Sequence, residues 1–234
     1  IKKQEFMWTM LVHLGSNMWN EEGNIRGREK EPGAVASSFL RLDRQLWDDY
    51  MIYQKEAGVN TLIIDLGEGM LYESHPELAV KGSWSRDKIS KELHYLRSLG
   101  FEVVPKLNFS ACHDEWLKDY SHMLSTPVYY LVCSDLIQEV CEVFQPKYFH
   151  LGMDEETYNH QKNYDYAVIR QNDLWWKDFY FLVDCVEKQN VRPWIWSDYI
   201  WNHPDTSLKK MPKSVLQSNW YYGMGFEHPQ EGED

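Results

Sequence analysis

The sequence predicts an α/β protein of the (β/α)8 TIM-barrel type, with about six βα units present in the chain. Three observations predict it. Six short apolar runs alternate with five helical stretches. The runs are apolar on both faces, as strands of a parallel sheet covered on both sides must be. The longest loops follow the runs, where such a barrel gathers its functional groups. No G-x-G-x-x-G or Walker sequence follows any run, which disfavours an open nucleotide-binding sheet.

The elements follow in order. The first strand lies within Phe6 to Leu14, and its helix spans about Ser37 to Ala57, capped by Ser37 or Ser38 and closed by Gly58. The second strand is Val59 to Asp65. Ser85 caps a helix from Arg86 to Leu99 that Gly100 ends. The third strand is Phe101 to Leu107, with a helix near Tyr129 to Phe144. The fourth is Tyr148 to Gly152, with a helix near Asn172 to Lys188. The fifth is Val191 to Trp196, with a short helix within Asp205 to Lys210, and the sixth is Ser214 to Trp220. The whole chain, 1–234, reads as a single barrel domain. Eight strands close a barrel, so the domain is expected to lack its last strands, and Glu227 to Asp234 reads as a loop.

Composition bounds the function. The 234 residues are 43% hydrophobic and 26% charged, ordinary for a globular domain. No apolar run approaches the length of a membrane span. Ile1 to Glu5 has no signal-peptide core, but a chain numbered from Ile says nothing about a removed leader. A net charge of -12 disfavours nucleic acid and anionic membranes as partners, because both would repel the protein. Neutral ligands suit it better. Eleven Trp residues hint at sugar, since indoles stack on the C–H faces of pyranose rings; the plainer alternative is that Trp fills the core. Cys112, Cys133, Cys141 and Cys185 form no C-x-x-C pair and read as buried thiols.

The strand ends carry the chemistry. His13, Ser16, Asn17 and Trp19 follow the first strand, and Asp65 and Glu68 the second. Asn108 and His113 follow the third, and Asp154, Glu155 and Glu156 the fourth. Trp196, Asp198 and Trp201 follow the fifth, and Asn219, Trp220 and Tyr221 the sixth. Acids, amides, His and Trp with little Lys or Arg fit a neutral polyol better than a phosphate. Asp154 and Glu155 are the sharpest feature. Two like charges in a partly dry pocket raise one pKa, which would keep one group protonated to serve a glycosidic oxygen. A solvated acidic turn is the bland alternative. No H-x-H or H-E-x-x-H spacing supports a metal, and no cofactor is expected.

His150-Leu151-Gly152-Met153-Asp154-Glu155 resembles the H-x-G-G-D-E motif of glycoside hydrolase family 20, the β-N-acetylhexosaminidases. Tyr72 to Leu78, Trp84-Ser85, Phe101 to His113, Pro193 to Asp198 and Gln217 to Trp220 are similar to the flanking segments of that family. The likeness covers roughly residues 59 to 222, and only the stretch 150–155 is specific.

The resemblance implies a retaining glycosidase that releases terminal N-acetylhexosamine-type sugars from an oligosaccharide or glycoconjugate. Glu155 would be the general acid and base, and Asp154 would orient a 2-acetamido group that itself attacks the anomeric carbon. His113 and His150 would support the acid, and Trp196 and Trp220 would wall the sugar. Asn108, Asp65, Asp198 and Tyr221 complete the expected binding set. A periplasmic or secreted setting is implied as well.

Several positions depart from the family pattern. Met153 replaces the second glycine, and Lys106 and Asn108 stand where Glu and Asp are expected. The sugar-gripping Arg of the first strand has no counterpart in Val12-His13-Leu14-Gly15-Ser16-Asn17. Two alternatives therefore stay open: a glycosidase using Asp65 or Asp198 as nucleophile on sugars without the acetamido group, and a non-catalytic carbohydrate-binding barrel.

Overall fold

A computed structural model describes residues 6–21, 32–161 and 167–220. Six strands, β1 (Thr9–His13), β2 (Thr61–Asp65), β3 (Glu102–Lys106), β4 (Tyr148–His150), β5 (Arg192–Trp196) and β6 (Leu216–Ser218), form one sheet in chain order. Every pairing is parallel. With helices between successive strands, this is six-stranded half-barrel architecture.

Alternation along the strands divides the side chains between two faces. Val12, Leu62, Ile64, Val103, Phe149 and Ile195 point outward into the main core. They pack there against Trp47 and Met51 of α1 (Arg44–Glu56), Leu93 and Leu96 of α2 (Arg86–Ser98), Leu136 and Ile137 of α3 (Pro127–Phe144), and Phe179 and Leu182 of α5 (Asp173–Glu187). Each such side chain contributes about 1.5–3 kcal/mol when fully buried. Ile63, Val104 and Trp194 form a smaller apolar layer on the inner face. Register then places one row across the whole sheet: His13, Asp65, Lys106, His150, Trp194 and Leu216. The functional residues lie on that row and just beyond it.

Helix boundaries follow local chemistry. Ser85 accepts from the Lys88 N–H at 3.3 Å and starts α2, and Gly100 follows its end at φ +93°. Thr126 caps α3, with Pro127 in its first turn and Gln145 left-handed at its end. α1 differs from expectation. It begins at Arg44, because Asp43 accepts from the Leu46 N–H at 3.0 Å. Ser37 is engaged elsewhere, its N–H donating to Asn17 Oδ1 at 2.9 Å. Three short helices, α4 (Tyr158–Gln161), α6 (Asp198–Asn202) and α7 (Pro204–Lys210), lie in the loops after β4 and β5. The sixth strand is shorter than the expected Ser214 to Trp220. Tyr221 lies outside the described residues. Among the described residues, no helix is long and apolar enough to cross a membrane. All four cysteines are buried and none is in a disulfide among the described residues, and Trp175 and Trp176 are core residues.

Candidate active site

The loop leaving β4 is built from an unusual backbone. Gly152, Met153 and Glu155 all have positive φ, at +73°, +71° and +53°. Gly152 is required twice over, since a Cβ there would meet Asn108 Oδ1 at 1.9 Å besides the left-handed φ. Met153 adopts the same region without being glycine, the kind of conformation that surrounding contacts must enforce. Asp154 and Glu155 follow at once, just past the C-terminal end of β4.

His113 joins the two acids. Its Nδ1 lies 3.4 Å from Asp154 Oδ2 and its Nε2 lies 3.3 Å from Glu155 Oε2. Burial opposes a charge on His113, yet the neighbouring Asp154 and Glu155 outweigh it and push its pKa up to about 10. For Asp154, burial is overcome by the His113 and Lys106 charges, which hold its carboxyl well below the usual range. Glu155 is pushed down to about 2, chiefly by hydrogen bonds from His113 and His160. One of the two adjacent acids was expected to be raised. Both are lowered instead, because the buried His113 ring lies between them.

Other residues define the surroundings. Asn108 donates to Asp154 Oδ1 at 2.8 Å, while its own Oδ1 accepts from the Ser110 and Met153 N–H groups at 3.1 and 3.3 Å. His150 is buried under the loop, its Nδ1 accepting from the Gly152 N–H at 3.0 Å. Burial lowers its pKa well below the ordinary value, so the ring is neutral. It braces the backbone and packs at a tilt against Trp196, with ring centres 4.8 Å apart. Asp198 accepts from the Glu155 N–H at 3.1 Å and from Trp220 Nε1 at 2.9 Å. Burial and the Asp154 charge push its pKa up to about 6. Asp65 lies lower, buried against the ammonium of Lys106 and 3.5 Å from His13 Nδ1. Lys106, standing where an acid was expected, thus neutralises the interior beneath the site.

Glu156 has its carboxylate buried in an ion pair. It forms a two-pronged ion pair with Arg170, Nε–Oε1 2.7 Å and a second nitrogen to Oε2 at 2.8 Å. Arg170 also reaches Asp178 of α5 at 3.2 Å and the Phe109 carbonyl at 2.7 Å. Glu68 is likewise structural, its carboxylate accepting from the Ser16 and Asn17 N–H groups at 2.8 and 3.1 Å.

A cavity of about 640 Å³ borders Glu155, lined also by His160, Asp198, Trp201 and Trp220 but not by Asp154. Its size is that of a small-ligand site. Separately, one atom each of His113, Asp154 and Glu155 lie within 4.8 Å of one another, close enough to share a cation.

Sequence reasoning missed several participants. His160, on α4, stands 3.4 Å from Glu155 Oε1, and nothing in its local sequence marks it. Ser110 and Cys112 donate to the carbonyls of Asp154 and Glu155. Their one visible signal was position, just before His113.

No family model matches the chain. Among curated proteins it is similar to a lacto-N-biosidase of Bifidobacterium bifidum, 23% identical over 229 residues, covering 86% of this chain and 20% of that protein. The chain thus spans about a fifth of the length of that relative. Among solved structures, the Streptomyces coelicolor A3(2) β-N-acetylhexosaminidase of glycoside hydrolase family 20 superposes with a TM-score of 0.62 at 13% identity, covering 91% of this chain and 42% of that one. A Flavobacterium johnsoniae chitobiase gives 0.60 at 15%, covering 88% and 34%. A mutant Streptomyces plicatus β-hexosaminidase, solved with its product GlcNAc, gives 0.62 at 12%, covering 94% and 43%. The six-stranded parallel half-barrel therefore shares its fold with part of these family 20 structures.

Proposed function

We propose that this chain forms part of a single (β/α)8 catalytic domain of a retaining glycosidase that releases terminal N-acetylhexosamine-type sugars. The observation that carries this is the Asp154–His113–Glu155 cluster, two adjacent carboxylates bridged at 3.4 and 3.3 Å by one buried histidine. The acids have different surroundings, which suits different roles. Asp154 is fixed by Asn108 and His113 and stays ionised, as a group must that orients an acetamido N–H and stabilises the positive charge forming on the ring. Glu155 is more open and borders the cavity, where a leaving group can sit.

Proton transfer runs through Glu155. Protonated Glu155 serves the glycosidic oxygen while the acetamido oxygen attacks the anomeric carbon, and His113, 3.3 Å from its carboxyl, is placed to exchange that proton. Glu155, then ionised, takes a proton from the water that opens the cyclic intermediate. A protein nucleophile is not needed, and Asp65 is ill placed to be one, being buried against Lys106. Asp198 accepts two N–H groups and serves better as a wall and anchor, with Trp196 and Trp220 beside the sugar.

The test compares nitrophenyl N-acetyl-β-glucosaminide with nitrophenyl β-glucoside. Hydrolysis of the first alone supports an acetamido nucleophile. Equal rates on both, with a trapped covalent glycosyl-enzyme, would replace it by a protein nucleophile. The low pKa of Glu155 favours a second reading, a carbohydrate-binding barrel without turnover. Calorimetric binding of N-acetylglucosamine oligomers with no hydrolysis would establish that one instead.

A further inference from the structure

Glu155 stands on a backbone that side-chain-bearing residues seldom adopt, and contacts from outside its own loop help to hold it there. Its N–H donates to Asp198 Oδ1 at 3.1 Å. Its carbonyl accepts from the Thr157 N–H at 2.7 Å and from the Cys112 thiol. One residue earlier, the Asp154 carbonyl accepts from the Ser110 hydroxyl. One earlier still, the Met153 N–H donates to Asn108. Three successive residues of the β4 loop are thus tied by side chains at alternate positions 108, 110 and 112 of the β3 loop.

Ser110 and Cys112 are themselves fixed. Both are fully buried, and the Cys112 N–H donates to Ser110 Oγ at 3.2 Å. The Cys112 sulfur also accepts from Gln161 Nε2 at 3.4 Å, which links it to α4, the helix that carries His160. Carbonyls turned into protein need donors, and no strand or helix ladder supplies them here. A thiol is a weak donor, but a large one. Its value is spatial, since it spans the gap between two loops at a site closed to water.

We propose that Ser110 and Cys112 are positioning residues for Glu155. By holding the carbonyls of Asp154 and Glu155, they set the direction in which the Glu155 carboxyl leaves the loop and keep it against His113 and His160. This rests on the reading of Glu155 as the proton-transferring group. A displacement of about 1 Å at such a group costs on the order of a hundredfold in rate. The thiol and the hydroxyl touch no substrate; they act through the loop.

The test uses Cys112→Ala, Cys112→Ser and the double variant Ser110→Ala/Cys112→Ala. Two measurements are made: kcat and KM on nitrophenyl N-acetyl-β-glucosaminide, and the titration of the His113 ring by NMR. Cys112→Ala is expected to lower kcat about tenfold with KM changed less than about threefold, and the double variant about a hundredfold. Cys112→Ser, which restores a donor, should recover most of the rate. In both alanine variants the His113 midpoint should fall, because Glu155 no longer faces the ring. Alanine variants that lose only thermal stability, keeping the wild-type kcat and His113 titration, would overturn the proposal. If the wild-type protein hydrolyses no acetamido glycoside, the functional reading fails, and the His113 titration alone decides positioning: a fall supports it and an unchanged midpoint overturns it.

Discussion

His113 is the residue on which the electrostatics of the site turn. Its folded pKa of about 10 lies above the ordinary 6.5, so its stabilising contribution is complete below about pH 6.5 and is lost as pH rises through about 10. Glu155 has the opposite sign. Its value of about 2 lies below the ordinary 4.5, so its contribution is complete above about pH 4.5 and is lost as pH falls through about 2. Between about 4.5 and 6.5 both are intact. Urea unfolding is therefore predicted to give the highest midpoint in that window and a decline toward pH 10. His113→Gln should remove most of that alkaline decline; an unchanged slope would show that the proton is not stored on His113. None of this polarity was legible in the sequence. The adjacent carboxylates were, but the imidazole that reverses their pKa values comes from 41 residues upstream of Asp154, and only the fold brings it between them.

At the scale of elements, the β4 loop and its supports decide whether the acids are placed at all. Gly152→Ala adds a Cβ at a positive φ and 1.9 Å from Asn108 Oδ1, so it must displace Asn108 or the loop. A loss of about 2–4 kcal/mol is predicted, together with loss of the Asn108–Asp154 contact, measured by denaturant unfolding. Arg170→Met leaves Glu156 and Asp178 as buried, uncompensated carboxylates. A cost of about 3–5 kcal/mol is predicted, and a change below about 1 kcal/mol would show that the pair is dispensable. Strands and most helices were legible because their signals are local: apolar runs for the sheet, Ser85 and Gly100 at the ends of α2. The start of α1 was not. Ser37 has the right chemistry for a cap, but its hydroxyl bonds the Phe39 backbone, and Asp43 caps instead. Arg170, Ser110 and Cys112 were illegible because each acts through a partner distant in the chain.

Across the whole molecule, six parallel strands present one row, His13 to Leu216, and the acids stand just above it. The interior beneath the site is held by the Asp65–Lys106 ion pair, and the helices bury the opposite face. The six apolar runs of the sequence and the six parallel strands of the sheet agree on a half-barrel. The most direct measurement is kcat on nitrophenyl N-acetyl-β-glucosaminide for Glu155→Gln against wild type, in the protein that carries this chain. A fall of at least about a hundredfold, with KM little changed and the fold intact, is the predicted result. Wild-type turnover in the folded Gln variant would contradict the assignment of Glu155 as the proton-transferring group.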